Sequence, residues 1–310
     1  MTAPRLGPLA LALTFAFLIL IWGSTWLVIK DQLGTVPPAW SVTYRFVIAG
    51  AAMFAYAAAT GASLRIGRDG HLLAIAFGLP QFVVNFNFVY WAEHYITSGL
   101  VAVVFAMLLV PNSAFARLFL KQPVTGRFIL GSAVAMAGVA LLFVQEMRQS
   151  QAEPPEVLLG IGLTVVGVLG ASAANIIQAT ERIRAWPVAG MLAWGMFYGV
   201  LANAAIAWAM FGPPVAEARI GYWAGLVYLG LFASALAFTL YFGIVRQIGP
   251  AKAAYSSVVV PIVAMALSTL FEGYRWSTLA VGGGLLALAG LVIALRSRAP
   301  PAPVSGSAEG

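Results

Sequence analysis

Between long apolar runs this sequence carries few polar side chains, and the spacing of those few suggests what they do. Gln81 and Asn85 stand at i and i+4, so on a helix they share one face just after Pro80. Asn112 follows Pro111, whose missing amide leaves a carbonyl of the preceding turn without its usual donor. Asn175 and Gln178 share a second helical face, and Asn203 lies alone in a later run. An amide in hydrocarbon either bonds a neighbouring helix or lines a wet cavity. Each of these residues alone fits the bridging role, whereas the set outlines a polar path through the centre. Trp22, Tyr90, Tyr241 and Tyr255 would give that path an aromatic wall. Such a cavity suits a small neutral or zwitterionic solute with an apolar part, and suits sugars and polyanions poorly. Arg45 is the one charge inside an apolar run, about seven residues, or roughly 10 Å at 1.5 Å per residue, from the nearer end. It either contacts a substrate carboxylate, or reaches towards the interface or the carbonyls of a neighbouring helix.

These side chains need elements to hold them, and composition identifies the elements. Of 310 residues, 61% are hydrophobic and 9% charged, against about 25% charged in soluble domains. Mean hydropathy is +0.92. This excludes an ordinary water-soluble enzyme and a disordered chain. A helix that crosses a hydrocarbon core of about 30 Å needs about 20 mostly apolar residues. Ten such stretches are present: Leu9–Ile29, Ala39–Thr60, His71–Trp91, Ile96–Leu120, Arg127–Gln145, Val157–Ala179, Pro187–Phe211, Ile220–Ile244, Ala251–Phe271 and Trp276–Leu295. The pattern predicts an all-α polytopic membrane protein with ten transmembrane helices. The first stretch follows Arg5 as a signal peptide would, yet runs on through Trp22 and Trp26 to Lys30 with no small-residue cleavage site, so it reads as a retained helix. Residues 299–310, rich in Pro, Ser and Gly, read as a disordered tail.

The chain has no Cys and two His, His71 and His94, which leaves nothing from which to build a metal site. It contains no HExxH, no G-x-S-x-G, and no pair of acids with a His in one loop. We therefore expect no catalytic residues, no metal and no cofactor, and hold an integral membrane enzyme only as the alternative from another class. The net charge of +7 is a matter of topology. Of the 17 Lys+Arg, Lys30, Arg148, Arg219 and Arg275 fall in loops on one side, Arg45 lies within a helix, and the other twelve fall on the opposite side. Basic residues are retained in the cytoplasm, so both termini are expected there, in an inner membrane, with no nucleic-acid partner. Asp31, Glu93, Glu146, Glu153, Glu156, Glu217 and Glu272 read as acids of the outer loops, with His94 beside Glu93 as a solvated pair. Asp69, Glu181 and Glu309 fall on the inner side, so none of the 10 Asp+Glu lies in a helix interior. That predicts a mechanism without an intramembrane carboxylate.

The halves repeat. Tyr90, Pro111, Gly131 and Gly138 recur as Tyr241, Pro261, Gly283 and Gly290, shifted by 150 to 152 residues. Residues 9–145 and 157–296 are thus expected to form two five-helix repeats, inverted because five is odd. Inverted repeats with proline-broken helices point to a secondary transporter whose substrate sits at the repeat interface, with Pro111 and Pro261 as hinges. Gly195 with Gly199, Gly221 with Gly225, and Gly282 to Gly284 read as faces of close helix packing, and the fifth and tenth helices as scaffold. Trp26, Trp40, Trp91, Trp223 and Trp276 read as interface residues.

The segment Leu20-Ile21-Trp22-Gly23-Ser24-Thr25, Arg45-Phe46, Tyr90 to Pro111, Pro261, and Phe271-Glu272-Gly273 before Gly283 and Gly290 resemble EamA-type members of the drug/metabolite transporter superfamily. The resemblance covers residues 9–296 and is similar to the family's aromatic amino acid exporters of the YddG type. It implies export of small metabolites by alternating access, adds Ser24 to the substrate-binding candidates, and leaves export of drugs or other metabolites, proton-coupled or not, as the alternative. Where the family carries an acid after the fourth helix this chain has Lys121-Gln122, so nothing is carried over there. With both halves in one chain, a monomer is expected to suffice.

Overall fold

The computed structural model describes residues 7–121, 123–149, 153–248 and 256–296; Tyr255 and the tail 299–310 lie outside them. Among the described residues the protein is all-α and polytopic. The helices are α1 (Pro8–Asp31), α2 (Pro38–Ala59), α3 (Gly67–Ala92), α4 (Ser98–Leu120), α5 (Gly126–Gln149), α6 (Pro154–Ala179), α7 (Val188–Phe211), α8 (Ile220–Ile248), α9 (Ser256–Phe271) and α10 (Thr278–Arg296), with one extra turn at Glu181–Arg184. Nine of them are long and apolar enough to cross a membrane, and α9 contributes the shorter apolar run Val259–Phe271. Pro begins α1, α2 and α6, where its missing N–H leaves no bond unmade. In α6 the Glu153 and Glu156 side chains also cap each other's backbone amides.

Three helices depart from regular α geometry. The stretch Leu79–Asn85 of α3 and the stretch Tyr228–Leu236 of α8 are π-helical. Shifting the first by the 151 residues that separate Tyr90 from Tyr241 lands it on 230–236, so the two halves carry the same irregularity at the same place. α4 breaks at Met107–Leu108, between Ser98–Ala106 and Leu109–Leu120. Pro111 explains the break: lacking an N–H, it cannot bond the Met107 carbonyl four residues back, which instead accepts from Val110 N at 2.8 Å. The expected counterpart at Pro261 differs, because α9 continues unbroken through it.

The tightest pairing is α5 against α10. A carbon added at Gly131 would sit 2.8 Å from the Gly290 carbonyl oxygen, and one at Gly283 would sit 2.9 Å from that of Gly138. The glycines seven apart thus let two backbones touch, as in small-residue membrane seams. Of the Gly282–Gly284 run only Gly283 belongs to this seam. Along α6, Gly167 and Gly170 admit the carbonyls of Asn85 and Pro80, bringing the π segment of α3 against it. In α7, Gly195 and Gly199 accommodate Phe77 and Phe82.

Gly290→Leu is expected to lower the thermal midpoint of the detergent-solubilised protein through an overpacking penalty of about 2 kcal/mol or more. Gly282→Leu, with nothing within 4 Å of an added carbon, is expected to melt as the wild type does.

Candidate functional site

A cavity of about 920 Å³ lies between the halves. Its lining includes Trp22, Gln81, Asn85, Asn112, Asn175, Gln178 and Tyr241, seven of the residues singled out from the sequence, together with Arg45 and Pro261. Nothing from α5 or α10 lines it. The π turns position its polar groups: Gln81 and Asn85 stand on the α3 segment, and the wider winding leaves carbonyls that side chains must satisfy. Asn203 donates to the Phe82 carbonyl at 2.9 Å and accepts from Asn87 at 2.6 Å, so it is a bridge between α3 and α7. Trp22 Nε1 donates to the Ala233 carbonyl in the α8 segment at 3.3 Å, and its ring lies 5.1 Å from that of Tyr241.

Arg45 is 1% exposed yet borders the cavity. Its Nε donates to Ser234 Oγ at 3.1 Å, fixing α2 to the α8 π segment, and its guanidinium lies 4.4 Å from the centre of the Phe86 ring. Its Nη1 has no hydrogen-bond partner, and neither has Asn85 Oδ1 in the same cavity. A buried donor without an acceptor and a buried acceptor without a donor are unusual; both atoms are sealed from water, although the residues that carry them border the cavity. Asn175 Nδ2 reaches Asn112 Oδ1 at 3.4 Å across the break in α4.

Other expectations resolve differently. Ser24 does not line the cavity; its hydroxyl bonds Tyr228 at 2.7 Å. Tyr90 is fully buried outside it and donates to Gln32 Oε1 at 3.2 Å, and Pro111 acts through the break and not by lining. Trp26, read as an interface residue, borders the cavity with its Nε1 unpartnered. Ile29, Phe77, Phe105, Trp186 and Phe238 also line it. Their types are those of any apolar helix, so only the assembled bundle identifies them.

The cavity reaches Ile183, Trp186 and Val188, at the face where α6 passes to α7, and no residue of the connections beside Asp31 lines it. That Asp31 face is laced shut by contacts within the first half and across to the second. Arg219 pairs with Asp31 at 2.8 Å, and Lys30 Nζ donates to the Glu93 and Ile96 carbonyls. Glu146 accepts from Thr97 N at 2.9 Å, Glu272 accepts from Ser98 N at 3.1 Å and from Ser98 Oγ, and Ser277 donates to Gln145 at 2.6 Å. Carboxylates at the first amides of α4 also meet the positive end of its dipole.

This overturns the reading of Glu93 and Glu146 as outer-loop acids, while Asp31, Glu153 and Glu156 are exposed as expected. Glu146 lies within α5 and is buried, and Glu93 has no exposed surface. Burial pushes the Glu93 carboxyl well above the usual range, against the opposing pull of Lys30, while Glu272 raises it further. The short turn after α3 folds back between helix ends instead of facing solvent, which the position of an acid just past an apolar run does not reveal. Both acids lie at helix ends, so the described helix interiors remain without a carboxylate, as expected, while carboxylates are nonetheless buried beside Asp31. His94 itself is exposed beside Trp91, and partial desolvation, then Lys30, hold its pKa down.

Comparison with known proteins gives the arrangement its context. The EamA-like transporter family matches twice, over residues 9–144 and 158–296. Protein PagO of Salmonella typhimurium is 24% identical, covering 87% of each chain. A "Probable terminal-alkyne amino-acid exporter" of Streptantibioticus cattleyicolor is 27% identical over 89% of this chain and 90% of its own. The inner membrane transporter YedA of Escherichia coli is 28% identical, over 83% of this chain and 81% of its own. A crystal structure at 18% identity superposes with a TM-score of 0.69, covering 94% of this chain and 99% of that one, and bears on the fold alone. With two matches that together span almost the whole of both halves, the chain belongs to the EamA-like transporter family.

Proposed function

We propose that the protein exports small zwitterionic or neutral metabolites, aromatic and other neutral amino acids foremost, by alternating access at the central cavity. The observation that carries this reading is a single cavity of about 920 Å³ bordered by Arg45, Gln81 and Asn85 and walled by aromatic rings. Arg45 suits an α-carboxylate, the amide oxygens of Gln81 and its neighbours suit an α-ammonium, and an apolar side chain would lie against Trp22, Phe86, Phe238 and Tyr241. The relative described as an amino-acid exporter supports the same class. A cationic or neutral drug would meet the same walls but leave Arg45 without an anion, so it ranks second.

The charge distribution supports an inner-membrane protein with the Asp31 face outside and both termini in the cytoplasm. In that orientation the cavity opens towards the cytoplasm and the outer side is closed. Both halves being in one chain, a monomer completes the site.

Uptake of labelled Phe, Trp and Thr into liposomes containing the purified protein is expected to exceed that into empty liposomes, and absence of flux for all three would sink the amino acid reading. Transport of Phe is expected to exceed that of phenethylamine by about 10-fold or more, the worth of one charge-assisted bond, and Arg45→Gln to abolish the difference. Gln81→Leu and Asn85→Leu are each expected to cut Phe flux severalfold at unchanged yield of monodisperse protein; wild-type rates in both would remove the site. Because the chain lacks Cys, orientation is directly measurable. Glu153→Cys should react with an impermeant maleimide from outside intact cells, and Ser63→Cys only after permeabilisation.

A further inference from the structure

The cavity leaves one buried charged group unused. Glu93, at the end of α3, has no exposed surface, and neither carboxylate oxygen has a hydrogen-bond partner. It is one of three acids, with Glu146 of α5 and Glu272 beyond α9, gathered around the first turn of α4. The other two are satisfied by Thr97 and Ser98. Lys30 is the nearest cation, and its ammonium donates to backbone carbonyls, not to the Glu93 carboxylate. An ionised carboxylate sealed from water without a donor is strongly disfavoured. A protonated one needs no counter-charge, and it relieves repulsion with Glu272.

We propose that Glu93 is a proton-binding site built into the outer gate, occupied while the Asp31 face is closed and emptied when it opens to water. This rests on the alternating-access reading and adds to it the ion that sets the gate. Lys30 from α1, Arg45 from α2, Tyr90 of α3 itself and Glu272 from the end of α9 act on Glu93; Glu146 and His94 act through Lys30. Tyr274 faces Glu146 from beyond α9, and Glu156 stands in the exposed first turn of α6. Closure raises the affinity of Glu93 for a proton, so the closed gate binds more protons than the open one. Acidifying the outside therefore favours closure, over the window from the ordinary carboxylate range up to the raised value, and alkalinity favours opening.

The test reads the gate and not the substrate, so it stands or falls apart from the amino acid reading. Ile29→Cys lines the cavity behind the closed face, and Glu153→Cys is an exposed reference that cancels the pH dependence of the thiol itself. The ratio of their labelling rates by an impermeant maleimide from the Asp31 side is expected to fall as external pH drops from about 8 to about 6, by up to about tenfold per pH unit, the limit for one linked proton. Glu93→Gln, a fixed mimic of the protonated form, is expected to hold the ratio low at both pH values. In wild-type protein the infrared spectrum is expected to contain a protonated-carboxyl band that Glu93→Gln removes, a readout that does not depend on gating. A ratio independent of pH in the wild type, a carboxyl band unchanged in Glu93→Gln, or a ratio that follows sodium at fixed pH would each overturn the proposal.

Discussion

Inside a bilayer every backbone amide and carbonyl must find a partner within the protein, and the structure depends on how this chain meets that demand where its helices are irregular. Regular helices meet it by themselves, but the π segments of α3 and α8 and the break in α4 do not. Their freed groups are met from neighbouring helices, by Asn203 at the Phe82 carbonyl and by Trp22 at the Ala233 carbonyl, while Ser234 of the second segment receives Arg45. Gln81, Asn85 and Asn112, which line the cavity, stand on these irregular helices, and the side chains that repair the backbone reach them from α1 and α7. Irregularity is tolerated only where it faces protein or a wet space, and here it does both.

The same constraint explains which features were legible in the sequence. The helices were legible because spanning hydrocarbon demands long apolar runs. The positions of Gln81, Asn85, Asn112, Asn175 and Gln178 stood out because an amide in such a run needs a reason. Asn203 carried the same signal yet serves as a bridge, since residue type alone does not separate repair from lining. In α3 the one mark of the π geometry is Pro80, which removes a helical hydrogen bond, whereas Tyr228–Leu236 contains nothing that an α-helix would not. Trp26 and Phe105 were hidden for a like reason: an aromatic ring at helical spacing looks the same towards lipid and towards a cavity.

The largest divergence concerned charge. Sorting acids by distance from an apolar run places Glu93, Glu146 and Glu272 among loops, whereas in the fold the helix ends beside Asp31 close over them. Loop residues are exposed only when nothing packs over the loop, and in a bundle pinched at one face the connections become its interior. Arg45, open in the sequence between a substrate contact and a structural role, is buried and bonds Ser234 of a neighbouring helix in place of reaching the interface. Both arrangements put charge where the halves meet.

The glycine seam between α5 and α10 has a bearing on origin. Gly131 corresponds to Gly283 and Gly138 to Gly290, yet Gly131 meets Gly290 and Gly138 meets Gly283. Each position touches the counterpart of its partner, which is the reciprocal pattern of an isologous two-fold contact. It is the surface that two copies of a single five-helix unit would share about a dyad. The single chain thus contains a self-complementary joint between the corresponding last helices of its two halves.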